Sequence, residues 1–167
     1  MKQITLNKLT LTDFKACSGT YEFGKTNSVF AINKGGKTRL HNAWLWLLTG
    51  SDNEDRTNFE LFDTSKEITK ENALPSIVEA EIEIDGVKCL LKRQAVQGWV
   101  KSRGETEYKR SGSDKYSYYV DDIEYSASDY NKWVEESIAP IGKIKIIANV
   151  VYFLSLDWKT QRAEFSE

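Results

Sequence analysis

Lys37 and Thr38, preceded by Gly35 and Gly36, are residue types whose order suits them to hold a phosphate chain and its magnesium ion. A phosphate-binding loop follows the pattern G-x-x-x-x-G-K-S/T. Backbone N–H groups form a concave nest around the phosphates, and the following helix adds favourable potential at its N-terminus. The lysine neutralises the outer phosphates and the Ser or Thr hydroxyl ligates Mg²⁺. Residues 31–38 read Ala31-Ile32-Asn33-Lys34-Gly35-Gly36-Lys37-Thr38, so the second half of the pattern is present and alanine stands at its opening glycine. A side chain in a left-handed conformation costs roughly 1–2 kcal/mol, so the loss of an opening glycine weakens the cradle.

The elements on either side give the loop its context. The apolar run of residues 29–32 reads as a strand entering the turn. A helix then begins near Lys37, where Leu40, Ala43, Trp44, Leu47 and Leu48 follow the i, i+3, i+4, i+7, i+8 spacing and Gly50 marks the C-terminus. Upstream, Ile4 and Leu6, then Leu9 and Leu11, alternate with a phase slip at Asn7-Lys8 that predicts a bulged strand. Residues 50–76 form a polar excursion anchored by Phe59, Leu61 and Phe62. Alternating residues on both sides of Asp85-Gly86 predict a hairpin, and GWVKSRGETEYKR (98–110) and KYSYYVDDIEYS (115–126) are expected to extend that meander. The segment SDYNKWVEESIA reads as a helix capped by Ser128 with Tyr130, Trp133 and Val134 on one face. A helical tail follows.

Composition narrows the classes. The chain has 167 residues, 40% hydrophobic and 29% charged, with a formal net charge of -2. That is the profile of a single globular domain, residues 1–167, with no global attraction to nucleic acid or membrane. No apolar run is long enough to span a bilayer and MKQITLNK is not a signal peptide, so a cytoplasmic protein is expected. Cys17 and Cys89 lack metal-ligand spacing and are expected to be free thiols. A single histidine, His41, argues against a Ser-His-Asp triad.

Taken together, LTLTDFK, the loop asparagine Asn33, GKT-x-L-x-N-A and WLLTG resemble the N-terminal ATPase lobe of the structural-maintenance-of-chromosomes (SMC) type and double-strand-break-repair ATPases, in their phage and prophage branch. GSDNEDRTNFELFD and VVYFLSLDW are similar to later segments of the phage members. The resemblance implies an α/β phosphate-loop NTPase fold, the N-terminal lobe of an ABC-type head carrying an antiparallel β-meander. It implies ATP and Mg²⁺ as cofactors, with Asn33, Lys34, Gly35, Gly36, Lys37, Thr38 and Arg39 around the phosphates and Thr38 on the metal. Phe14-Lys15 corresponds to the family's aromatic-basic pair, which puts Lys15 near the nucleotide. Asn42 stands where an aspartate is usual. The family loop, G-x-N-G-x-G-K-S/T, has glycines where this chain has Ala31 and Lys34.

The family's catalytic strand and signature loop are not found in this sequence. YSYYVDDIE imitates the acidic strand, but Asp121-Asp122 suits a hairpin turn better. Gln161 is the only late glutamine and reads as a solvated helix residue. No catalytic residue is therefore assigned. An ATPase is expected only if a C-terminal lobe, a second head or a homodimer completes the site, in DNA repair or recombination. The competing expectation is a non-enzymatic interaction protein that keeps the lobe fold and binds DNA or a host ATPase. Lys92, Arg93, Lys101, Arg103, Lys109 and Arg110 surround Trp99, a pattern that suits a nucleic-acid backbone but more often marks the wet face of a meander.

Overall fold

The computed structural model describes residues 2–30, 36–63 and 68–164. In chain order the elements are β1 (Ile4–Phe14), β2 (Cys17–Glu22), α1 (Lys37–Thr49), β3 (Ser76–Ile84), β4 (Val87–Val96), β5 (Trp99–Val100), β6 (Lys109–Arg110), β7 (Lys115–Val120), β8 (Ile123–Tyr125), α2 (Ala127–Ser137), α3 (Ile141–Ala148), α4 (Val150–Ser155) and α5 (Trp158–Glu164). The fold is α/β. Six strands form one sheet in the order β2-β1-β3-β4-β7-β8, and every neighbouring pair in it is antiparallel.

Alternation gives the sheet one dry face. Leu9 and Leu11 on β1, Val78, Ala80 and Ile82 on β3, and Leu91 and Ala95 on β4 are all buried. The β1–β3 register slips between Leu6 and Lys8, which is the bulge that the phase change in the sequence predicts. Helix α1 packs across β1, β3 and β4, and α2 packs on β7 and β8. Ala43, Trp46, Leu47 and Leu48 of α1 and Tyr130 and Val134 of α2 complete the core. Each fully buried aliphatic side chain of this kind contributes about 1.5–3 kcal/mol. On the wet face Lys8 pairs with Glu81, and Lys92 with Glu79 at 3.3 Å.

The expected anchors of the excursion hold: Leu61 and Phe62 are buried and Phe59 packs against the core. Asp85-Gly86 closes the β3–β4 hairpin with both residues at positive φ. Asp121-Asp122 closes the β7–β8 hairpin, also with both residues at positive φ, so this segment is a turn and not a catalytic strand. Both cysteines are free, and burial together with Asp121 pushes the Cys89 thiol up to about 12.

Four expectations are corrected. Val29 and Phe30 form no strand; they are 51% and 90% exposed, because no described strand lies beside them to pair with. Ala31 and Ile32, the rest of that run, lie outside the described residues. Residues 99–110 do not extend the main sheet: β5 and β6 pair only with each other. The cap of α2 is Ser126, whose Oγ accepts from the Asp129 amide at 3.2 Å, while Ser128 lies inside the helix and its hydroxyl meets that of Ser126. Gln161 is not simply solvated. Its Nε2 donates to the carbonyls of Phe153 and Leu156 at 2.9 and 3.0 Å, closing the C-terminal end of α4.

The C-terminus of α1 is tied down by side chains from the sheet and from α2. Gly50, at φ 79°, donates its amide to the Trp46 carbonyl at 3.0 Å. Tyr130 Oη donates to the Leu47 carbonyl at 3.1 Å in a fully buried setting. Replacing Tyr130 by phenylalanine is expected to destabilise the fold by about 1–2 kcal/mol, since the carbonyl loses a buried donor while the ring packing stays. Urea titration should show a lower midpoint at an unchanged slope.

Candidate functional site

Gly36, the residue just ahead of α1, adopts φ 95° and ψ 0°. This left-handed conformation favours glycine, and it fixes the direction in which the chain enters the helix. Among the described residues no side chain caps the N-terminus of α1, and no acidic residue lies in its first turn. The positive end of the helix dipole is therefore not offset from within the helix, a setting that favours an anion. Lys37, Thr38 and Arg39 occupy that first turn, and all three are exposed. Asn33, Lys34 and Gly35 lie outside the described residues.

Lys15 comes from the opposite direction, on the tight turn between β1 and β2. Phe14 is fully buried, with its ring 5.5 Å from that of Trp46 on α1. Lys15 and Ala16 both have positive φ, at 52° and 59°. Non-glycine residues in this region are strained, and the strain is held by long-range contacts. The Lys15 amide donates to the Leu61 carbonyl at 2.8 Å, and its ammonium lies 4.8 Å from the Phe59 ring centroid. Burial pushes the Lys15 ammonium below its ordinary pKa; the charges of Arg56 and Arg39 push the same way, and Asp52 opposes them.

In the loop after α1, where Arg56 reads from sequence either as an exposed charge or as a residue that helps order a neighbouring head or nucleotide, the buried carboxylate of Asp52 is the part that sequence reasoning missed. Asp52 is fully buried, and its carboxylate accepts from the amides of Glu54 and Arg56 at 2.9 and 3.0 Å. It also accepts from Arg56 Nε and Nη2 at 2.9 and 2.6 Å. Burial alone would raise the Asp52 pKa, but the bonds from Arg56 and Glu54 outweigh it and hold the carboxyl below its usual range. Asn42, buried in the middle of α1, accepts from the Asn53 amide at 3.1 Å. Asn149 donates to the Asp52 carbonyl at 3.1 Å, and Lys145 pairs with Asp55 at 2.6 Å. The loop is fastened to α1, to α3 and to Asn149, which lies between α3 and α4. Its signal in the sequence was Asp52 four residues before Arg56, just past a glycine-terminated helix.

His41 is exposed, and its Nε2 lies 2.7 Å from the Ala148 carbonyl, which ties α1 to α3. The basic stretch around Trp99 is largely neutralised. Lys92 pairs with Glu79, Lys109 with Glu105 and Arg110 with Asp114, while Arg93 is buried. Of those six cations, only Lys101 and Arg103 lack a carboxylate partner or burial among the described residues.

The described residues offer group types that an anion with a hard cation would use. Lys37, Arg39 and Lys15 supply positive charge, the start of α1 supplies backbone amides, and the Thr38 hydroxyl is an oxygen ligand suited to Mg²⁺. No protein-family model matches this sequence, and no curated protein matches it.

Proposed function

We propose that this chain binds Mg-ATP at the turn before α1, as the N-terminal lobe of an SMC-like DNA repair or recombination ATPase in the cytoplasm. The observation that supports the reading is Gly36 in a left-handed conformation, leading into an acid-free helix start that bears Lys37, Thr38 and Arg39 and that no described side chain caps. Lys37 holds the outer phosphates, Thr38 the metal, and Lys15 and Arg39 flank the anion. The bound nucleotide supplies a phosphoanhydride bond, and these residues bind and orient it. Water activation belongs to a second lobe, a second head or another copy of the chain, so little turnover is expected from the chain alone.

The test is thermal unfolding with and without Mg-ATP. At a hundred times its dissociation constant, a ligand that binds only the folded state stabilises by about 2.7 kcal/mol. Wild type is expected to show a shift of this size and Lys37→Ala none. An identical response from both proteins would refute the assignment.

One observation favours a second reading, a non-enzymatic interaction protein. Ile147, Val150, Val151, Leu154 and Trp158, all on the last three helices, are between 49% and 83% exposed. Large apolar side chains exposed this closely together are candidates for a contact surface. On this reading the lobe engages DNA or another ATPase, and Mg-ATP leaves its unfolding unchanged.

A further inference from the structure

Gln97 and Gly98 lead from β4 into the β5–β6 ribbon, which leaves the main sheet where Val96 pairs with Lys115. A Cβ at position 98 would lie 1.9 Å from the Ser113 carbonyl oxygen, so glycine is what lets the two ends of the ribbon close together. Facing the ribbon is a hydrogen-bonded turn at 69–72. In it the Thr69 amide donates to Asn72 Oδ1 at 2.7 Å, and the Asn72 amide to the Thr69 carbonyl at 3.3 Å. That turn holds Lys70 against the ribbon, with its Nζ 3.5 Å from the Tyr108 ring centroid; Lys101 Nζ lies 5.6 Å from the same centroid. Between the turn, the ribbon and the start of β7 runs an open groove of about 730 Å³, whose lining includes Lys70, Val96, Gln97, Trp99, Val100 and Lys115.

Charge around this groove is one-sided. Lys70, Lys101 and Lys115 are exposed, and none of them pairs with a carboxylate among the described residues. Asp114, the acid in the lining, is committed to Arg110 at 2.9 Å. The groove therefore favours an anion. A simple anion does not match the rest of the lining. Val96 and Val100 are 39% and 50% exposed, and the Trp99 indole is half-buried. Gln97 is buried, yet its Oε1 has no hydrogen-bond partner, and neither has Trp99 Nε1. Unpaired buried polar atoms are costly, and a ligand that supplies their partners recovers that cost. Gln97 Oε1 is an acceptor, which no carboxylate or phosphate oxygen satisfies. The matching occupant carries N–H groups and flat apolar surface as well as negative charge. A nucleotide unit has all three: a base edge with donors and acceptors, a ring that stacks, and a phosphate.

We propose that this groove binds single-stranded nucleic acid, with a base against Val100 and the Trp99 indole and the backbone on Lys70, Lys101 and Lys115. Gln97 Oε1 and Trp99 Nε1 take their missing partners from the base edge. The proposal does not rest on the Mg-ATP reading: it uses no residue of the turn before α1 and needs no bound nucleotide. It separates the basic stretch into two parts. Lys92, Lys109 and Arg110 are paired and hold the fold, while Lys101 joins Lys70 and Lys115, which lie outside that stretch, to make the cationic wall. A duplex fits poorly, because its bases stack on one another and their edges are already paired.

The experiment is an anisotropy titration of a short labelled oligothymidylate over a range of salt concentrations. With a phosphate on each of the three lysines, the slope of log affinity against log salt is expected at about −2, and at about −1.4 in each of Lys70→Gln, Lys101→Gln and Lys115→Gln. Lys159→Gln, on α5, should keep the wild-type slope. Trp99→Ala is expected to bind about tenfold more weakly at a fixed salt concentration, from the loss of stacking. The three lysines are exposed, so their variants report even if Trp99→Ala folds poorly. A duplex of the same length should compete about tenfold less well than the strand. Absence of strand binding would overturn the proposal. So would equal slopes in all four lysine variants, which would mark diffuse attraction to charge. Polyglutamate competing as well as the strand would also overturn it, in favour of an acidic peptide. None of these outcomes bears on the unfolding response to Mg-ATP.

Discussion

Arg93→Ala is expected to lower the unfolding free energy by about 3 kcal/mol, with the loss of midpoint in urea measured at neutral pH. Arg93 projects from β4 into the core among Leu91, Ala95 and Trp46, and its Nη1 donates to the Trp46 carbonyl at 2.7 Å. That carbonyl is among the last of α1, where the helix dipole is negative, so the guanidinium stabilises the helix end electrostatically. Its plane lies 4.8 Å from the Trp46 ring and 4.9 Å from that of Tyr118. These aromatic faces and the carbonyl stand in place of a carboxylate. Burial still pushes the Arg93 pKa downward, and Nε has no hydrogen-bond partner. Arg93→Met fills the volume and removes a buried charge, so it should cost clearly less than Arg93→Ala. Arg93→Lys keeps the charge without the flat fork, and should be worse than Arg93→Met. An alanine variant within 1 kcal/mol of wild type would show that the ring contacts and helix end do not depend on this side chain.

The place of Arg93 was legible in the sequence, although its charge disguised it. Cys89, Leu91, Arg93 and Ala95 share one phase of β4, and that phase is the buried one. Parity alone therefore puts Arg93 inward, even though a count of basic residues groups it with the wet face. The helix α1, the bulge after Leu6 and the two tight hairpins were legible for the same kind of reason. Each is set by neighbours within a few residues, through periodicity or turn chemistry. What was not legible depends on distant partners. Whether residues 29 and 30 form a strand depends on a neighbouring strand, which local composition does not encode. The contact between the β1–β2 turn and the segment after α1, from the Lys15 amide to the Leu61 carbonyl, depends on how distant parts of the chain approach each other, and spacing along the chain carries no trace of that approach.

Asp52→Ala is expected to destabilise the protein by about 3 kcal/mol at neutral pH, because two loop amides and the Arg56 guanidinium lose their acceptor together. The backbone of the loop reinforces the same geometry: the Asp52 amide donates to the Arg56 carbonyl at 3.1 Å, and the Asp55 amide to the Asp52 carbonyl at 3.1 Å. Asp52→Asn should be nearly as costly, since its amide group would present hydrogens to Arg56 donors on one side. The ionised carboxylate is the working form, and this fixes the pH dependence. Its pKa is held below the usual range in the fold, while in the unfolded chain it returns to about 3.9. Its contribution is therefore fully present above the unfolded value and is lost as pH falls through the folded one. Urea midpoints of wild type and Asp52→Asn should differ most at pH 7 and converge on acidification to about pH 3 or below. A gap that stays constant over that range would mean that the loop is held by its backbone contacts and that Asp52 is not an ionised anchor. Convergence, in contrast, ties the order of the loop, and with it the position of Arg56, to the negative charge buried at Asp52.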